Sequence, residues 1–368
     1  MEPPEIVAGK KLLITGGTGT VGSEIVRQAL GHGAEVVRVY SRDEYKQFLL
    51  RQQLGDDPRL RFLIGDVRDA GRLRRALEDI DIVFHTAAMK HVAACEYNPS
   101  EALKTNALGT ENVIEAALER DVDLVMLTST DKAVNPSNTM GASKLLAEKL
   151  MTAANCSRGP HPTRFATVRF GNVLGSNGSL LTILREQIAR GGPVTLTDPQ
   201  MTRYVLSLSE AVGMVFRAAA MARGGEVFIL KMPRVRTADL VAAAREVLAP
   251  RFGFKPQEIE TRLIGAGPGE KIHEELMTSD ERLRAYETDE MVILLPPLAE
   301  LGLDPSAYPG SRPLGAADDD AIVLSTDEIM RLLCQADVAA CLAAHVARSD
   351  SSDRHGGPSG QAAGERAA

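Results

Sequence analysis

The sequence predicts an α/β fold, a Rossmann-like doubly wound parallel sheet with a smaller C-terminal substrate-binding lobe. Three observations predict it. Short apolar runs alternate with segments of helical periodicity up to about residue 170. The first run ends in a glycine cluster, TGGTGTVG, that leads into a helix. Beyond Phe170 the alternation breaks into glycine- and proline-containing loops with shorter elements.

Lys10 to Thr15 (KKLLIT) reads as the first strand, and Val21 to Leu30, apolar at helical spacing, as the helix after it. Strands are expected at Glu35 to Tyr40, Arg61 to Ile64, Ile80 to His85, Leu124 to Thr128 and Ala166 to Phe170. Helices are expected at Asp43 to Gln53, Ala70 to Leu77, Glu101 to Arg120 and Ser143 to Ala153. Repeated strand–helix units imply a parallel sheet covered on both faces. Further on, Ser179 to Arg190, Glu210 to Ala222, Glu226 to Leu230 and Ala238 to Leu248 read as short elements of the second lobe. The expected division is 1–170 mainly dinucleotide-binding, 171–300 mainly substrate lobe with sheet-completing elements, 301–347 an extension, and 348–368 a tail. That tail is small, polar and glycine-rich and is expected to be disordered.

Of the 368 residues 44% are hydrophobic and 25% charged, enough for a sizeable core, and the net charge of -7 gives no diffuse basic field. A nucleic-acid or membrane-surface partner is therefore not expected, and any phosphate must be held by local geometry. The four cysteines, Cys95, Cys156, Cys334 and Cys341, have no CxxC spacing, and His85, His91 and His273 have no ligand spacing, so no metal is expected. No signal-like N-terminus is seen, nor an apolar run of the roughly 18 to 20 residues that span a bilayer, and the expected location is the cytoplasm.

Gly16, Gly19 and Gly22 stand at GxxGxxG spacing between strand and helix, with Thr18, Thr20 and Val21 among them. Small residues let the backbone approach a pyrophosphate, whose charge sits at the helix N-terminus. After the second strand, where NAD-specific enzymes usually place an acid, this chain has Ser41 and Arg42, with Lys46 one turn later. These cations either clamp a 2′-phosphate, favouring NADP over NAD, or are ordinary exposed residues at a helix start. Asp66, followed by Val67, closes the third strand and either accepts from an adenine amino group or caps the next helix. Ala87 and Ala88 follow the fourth strand and complete the expected cofactor cleft.

These residues resemble the extended short-chain dehydrogenases. AAMKHVAACEYNPSEALKTNALGTENV, STDKAVNPSNTMGASKLLAEKL, RFGNVLGSNGSL, DPQMTRYVLSLSEAV, GGEVFILKMP and GPGEKIHEEL together are similar to the bacterial polysaccharide-biosynthesis branch that holds the UDP-N-acetylglucosamine 4,6-dehydratases. The likeness runs from about Lys10 to Pro297. It implies a UDP-sugar substrate and a reaction in which hydride leaves C4, water is eliminated across C5 and C6, and hydride returns to C6. C5 inversion is left open. It also implies pairing into a dimer or hexamer.

That reaction needs a group at the C4 oxygen, a base at C5, an acid at the C6 hydroxyl and a hold on the nicotinamide ribose. Thr130, at the end of an apolar strand, suits the C4 oxygen. Asp131 is the candidate acid, provided the enclosed site lets it keep a proton. Lys132 is the candidate C5 base if desolvation and nearby Lys144 lower its proton affinity. The resemblance assigns Asp131 and Lys132 the same jobs; by itself, STDK also reads as a loop with an N-cap and a solvated lysine. Most short-chain dehydrogenases carry YxxxK, whereas this chain has Met140 and Lys144. A thioether is no general acid or base. The resemblance extends to a subset with Met at that place, some of them long membrane-anchored proteins. Lys144 then holds the ribose, and Lys132 serves at both C4 and C5.

Asn172, Thr202 and Arg203 are suited to a diphosphate and sugar, and Lys90 and Glu96 follow the fourth strand near the meeting point of cofactor and sugar. Glu270, with Lys271, either faces the nucleotide or makes a surface ion pair at a turn. Two rivals are a related UDP-sugar epimerase or 5,6-dehydratase on the same scaffold, and a catalytically silent NADP-binding regulator.

Overall fold

The computed structural model describes residues 5–315 and 322–335, so the expected disordered tail lies outside the described residues. Strands β1 (Lys11–Thr15), β2 (Val36–Ser41), β3 (Leu60–Ile64), β4 (Ile82–His85), β5 (Leu124–Thr130) and β6 (Arg164–Phe170) run parallel in the order β3-β2-β1-β4-β5-β6. Adjacent strand residues point to opposite faces, and both faces are covered. Ile14, Phe84 and Met126 join one core cluster, while their neighbours Leu13, Val83 and Val125 join the other.

The covering helices are α1 (Thr20–Gly31), α2 (Glu44–Leu54), α3 (Ala70–Ala76), α4 (Val92–Tyr97), α5 (Pro99–Ala102), α6 (Gly109–Leu118) and α7 (Thr139–Ser157). Helices α5 and α6 are joined through a π-helical stretch, Leu103–Leu108, inside what the periodicity reads as one helix. Asp43 and Asp69 cap α2 and α3 with their carboxylates, and Asn138 caps α7 through Gly141.

The later part comprises β7 (Asn172–Val173), α8 (Leu180–Ala189), β8 (Val194–Leu196), β9 (Thr202–Leu206), α9 (Leu208–Met221), β10 (Val227–Leu230), β11 (Arg234–Arg236), α10 (Thr237–Leu248), β12 (Thr261–Leu263), α11 (Ser279–Arg282), β13 (Ala285–Glu287), β14 (Met291–Leu294), β15 (Arg312–Pro313) and α12 (Thr326–Leu333). Strand β10 adds in parallel to β6, and β14, β13 and β15 continue antiparallel to make ten strands. Strands of the main sheet thus lie on both sides of residue 170. The separate lobe is built by two small sheets, β11-β9-β7 and β12-β8, and by α8, α10 and α12 around Leu184, Ile188, Val241, Leu248, Ile329 and Leu333.

Strand β1 lies between β2 and β4, so the connections leave it in opposite directions and open a crevice at the carboxyl ends of β1 and β4.

Candidate active site

A cleft of about 290 Å³ opens there, lined by Gly16, Thr18, Gly19, Ser41, Arg42, Lys46, Asp66, Val67, Ala87 and Ala88. The glycines are required by space. Gly16 has φ +67°, and a Cβ on it would lie 2.7 Å from Ala87 N. A Cβ on Gly22 would run into Gly16 O and stand 2.8 Å from Gly17 Cα. Gly19 caps α1 without any side-chain hydrogen bond, which leaves the helix N–H groups facing the cleft for an anion. Thr20 Oγ1 accepts from Asn177 N at 3.1 Å, and the side chain of Val21 packs against the core instead of the cleft. These residues fit a dinucleotide pyrophosphate.

Asp66 does not cap a helix: that role falls to Asp69, and Asp66 is paired with Arg68 at 2.6 Å and Arg42 at 3.5 Å. Burial opposes its charge, but Arg68 and Arg42 together hold its carboxyl below the ordinary value. Lys46 pairs with Asp43 at 3.2 Å.

Strand β5 ends at Thr130 and turns directly into a short 3₁₀ segment, Asp131–Ala133. That turn carries the chemistry-bearing residues into the interior. Asp131 is fully buried; its Oδ1 accepts from Thr130 Oγ1 at 2.9 Å and from Lys132 Nζ at 2.9 Å. The same ammonium lies 3.3 Å from Glu274 Oε1. Neither Asp131 Oδ2 nor Glu274 Oε2 has a hydrogen-bond partner among the described residues. The expectation that Lys132 loses proton affinity is corrected here. Burial does lower it, but Asp131 and Glu274 outweigh burial and raise it above the ordinary lysine value.

Lys144 has depressed proton affinity, as does Lys90, which burial also lowers. Burial brings the Lys144 pKa down to about 8, offset only in part by Glu148 one turn on. Met140 is 5% exposed and packs with Cys95 and Ala102, against which Met89 and Val92 also lie, so it fills an apolar pocket under α4. His85 is a structural residue, bonded to Thr15 Oγ1 at 2.6 Å and Thr110 Oγ1 at 3.1 Å, with its pKa lowered to about 3 by burial and by Lys144.

The expected substrate ligands take different places. Arg203 Nη1 donates to the carbonyls of Thr202, Lys271 and Ile272, and Thr202 Oγ1 bonds His273 Nδ1 at 2.9 Å. Both thus anchor the segment that carries Glu274. Glu270 is exposed and closes its own turn onto Gly267 N at 3.0 Å, while Lys271 Nζ donates to Val134 O at 2.8 Å; the two form no ion pair with each other. Glu96 accepts from Thr139 N at 2.5 Å, steadying the start of α7, and Lys90 Nζ donates to Asn177 O. Asn172 sits half-buried in β7.

Residues not foreseen from the sequence complete the site. Asn106, in the π stretch, ties the Met89 backbone in both directions, at 2.7 and 3.0 Å, and donates to Ser143 Oγ at 2.9 Å. Below the site Arg169 binds Glu148 at 2.7 Å and Glu281 at 3.1 Å, and Ser129 Oγ donates to Glu148 at 2.5 Å. A charged residue inside FATVRF was the available signal for such a buried network. Beside Glu274 and His273 opens a larger cavity of about 1070 Å³, walled by Tyr204, Met232, Arg234, Leu276 and Leu324. Among the described residues no group of three or more His, Cys, Asp or Glu is placed to hold a metal ion.

Residues 12–296 match the family described as polysaccharide biosynthesis protein. An uncharacterized membrane protein of Methanocaldococcus jannaschii is 51% identical over 287 residues, 78% of this chain and 86% of that one. A UDP-N-acetylglucosamine 4,6-dehydratase (inverting) of Campylobacter jejuni is 42% identical, covering 78% of this chain and 83% of its own. A UDP-glucose 4-epimerase of Rickettsia conorii is 41% identical, covering 75% and 80%. Among solved structures, Pen from Bacillus thuringiensis superposes with a TM-score of 0.80 at 41% identity, over 89% of this chain and 98% of that one. DesIV, a dTDP-glucose 4,6-dehydratase from Streptomyces venezuelae with NAD and TYD bound, shares the fold at a TM-score of 0.66 and 24% identity, over 74% and 90%. No helix among the described residues is long and apolar enough to cross a membrane.

Proposed function

The chain belongs to the polysaccharide biosynthesis protein family, with the extended short-chain dehydrogenase fold, and from that premise we propose that it is a nicotinamide-dependent UDP-N-acetylglucosamine 4,6-dehydratase. The observation that carries the reading is the Thr130–Asp131–Lys132 cluster at the carboxyl end of β5, with Asp131 fully buried. The similarity to the Campylobacter dehydratase supports it. A nicotinamide cofactor would supply the hydride chemistry between C4 and C6. The glycine turn and the α1 N-terminus would hold its pyrophosphate, and Lys144 the ribose hydroxyls. The sugar nucleotide enters by the larger cavity, which reaches the catalytic cluster at Glu274.

The elimination requires an acid and a base side by side, and the Asp131–Lys132 pair supplies both from one proton. Moving it across the 2.9 Å contact from Nζ to Oδ1 turns an ion pair into an amine and a carboxylic acid. The amine takes the C5 proton. The acid protonates the departing C6 hydroxyl, which leaves as water. Thr130 donates to Asp131 and fixes that carboxyl beside the sugar, leaving the C4 hydroxyl proton to Lys132. Met140, packed among apolar side chains, takes no part in proton transfer.

The Rickettsia relative keeps a 4-epimerase reading in view. Both Lys132→Ala and Asp131→Asn should abolish loss of the C6 hydroxyl while leaving cofactor bound; near-normal turnover in both would remove the mechanism. NADP is the proposed dinucleotide, because Ser41, Arg42 and Lys46 line the cleft where an acid would select NAD. Arg42→Ala should weaken NADP about tenfold and NAD little, read by titration of each. Cytoplasmic location and a homo-oligomer are proposed as well, to be read by fractionation and light scattering.

A further inference from the structure

Under the reading above, one lysine has to take two protons in turn, first from the C4 hydroxyl and then from C5. Met140 offers no hydroxyl to share the work, and Asp131 already holds the proton destined for the leaving group. A second acceptor is required between the two steps. We infer that Glu274 is that acceptor: a positioning residue that works through Lys132, relieving it of the C4 hydroxyl proton so that the amine is free again for C5.

Four observations support the assignment. Glu274 Oε1 lies 3.3 Å from Lys132 Nζ, which also donates to Asp131 Oδ1 at 2.9 Å. Its side chain is only 3% exposed, and its Oε2 has no hydrogen-bond partner among the described residues, so the carboxyl has capacity for a proton. The segment carrying it is pinned from two sides. On one, Lys271 Nζ donates to Val134 O, Ser137 Oγ and Asn138 Nδ2 donate to Gly269 O, and Asn135 Nδ2 donates to Glu275. On the other, Arg203 and Thr202 hold residues 271–273 from β9. This anchoring places one buried carboxylate on one lysine.

The proton balance closes. The C4 hydroxyl proton passes to Lys132 Nζ and on to Glu274, giving a neutral carboxyl; the C5 proton then makes Lys132 an ammonium. When hydride returns to C6, Lys132 gives a proton back to C5, and Glu274 then hands its proton to the amine, restoring the ammonium and the two carboxylates with which the cycle began. The charged groups facing Lys132 are Asp131, Glu274 and Arg203.

The test is Glu274→Gln, with Glu274→Asp as the conservative control. Competitive acetylation of Lys132, read by peptide mass spectrometry against pH without substrate, should show its proton affinity falling in the Gln variant. In single turnovers with UDP-N-acetylglucosamine, nicotinamide reduction should persist while exchange of the C5 proton with deuterated water falls about tenfold or more, with partial rescue in the Asp variant. Exchange at the parental rate, or an unmoved Lys132 titration, overturns the proposal. Turnover by Lys132→Ala would instead overturn the dehydratase mechanism, and leave the Lys132–Glu274 coupling measured by acetylation standing.

Discussion

Lys144→Met should stabilise the cofactor-free protein while removing its hold on the cofactor. The lysine is buried on α7, near enough to His85 of β4 to act on its charge, and burial lowers its pKa from 10.5 to about 8. At about 1.4 kcal/mol per pH unit, that fall corresponds to a cost of roughly 3 kcal/mol for carrying the charge inside. Methionine keeps the length and volume of the stem and carries no charge. The pH dependence fixes the origin of the effect. An unfolded lysine keeps its proton up to about pH 10.5, whereas the folded one loses it near 8, so between these values the unfolded chain binds more protons. Stability of the parent relative to the variant must then rise with pH through that window. Urea unfolding of both proteins without cofactor should show the Met variant more stable near pH 7 by up to roughly 3 kcal/mol, with the gap closing by about pH 10.5. A variant less stable near pH 7, or a gap that does not change with pH, refutes the reasoning.

Met140→Ala should cost about 2 kcal/mol of stability by opening the pocket formed with Cys95 and Ala102, yet leave turnover within about threefold, because the thioether moves no proton. Gly22→Ala should weaken dinucleotide binding by about 1–3 kcal/mol, measured by fluorescence titration, since the new methyl meets Gly16 O and Gly17 Cα and must push α1 off the cleft.

The alternation of apolar runs and helical periods was sufficient to read the six parallel strands, and the glycine spacing located the cleft that the structure opens at β1 and β4. Helix α7 starts at Thr139, four residues before the periodicity suggests, because Asn138 caps a first turn whose residues, Thr-Met-Gly, show no apolar stripe. Strand β9 was hidden in a stretch read as loop, and its side chains Thr202 and Arg203, which look from sequence like ligands, also hold a neighbouring segment. Glu274 was invisible for a similar reason. Two glutamates in KIHEEL look like a solvated turn, and only the fold, by bringing residue 274 onto residue 132, distinguishes the buried one from Glu275, which is exposed and reaches Asn135. The proton affinity of Lys132 went the other way from the expectation because burial was foreseen and the second carboxylate was not.

The most direct test of the dehydratase reading is an NMR time course of the purified protein with UDP-N-acetylglucosamine in deuterated water, following the C6 protons and the configuration at C5. A C6 methyl signal together with deuterium at C5 is the predicted result, and the C5 configuration then tells retention from inversion. Interconversion at C4 with the C6 hydroxymethyl intact, or substrate unchanged with dinucleotide bound, would contradict it.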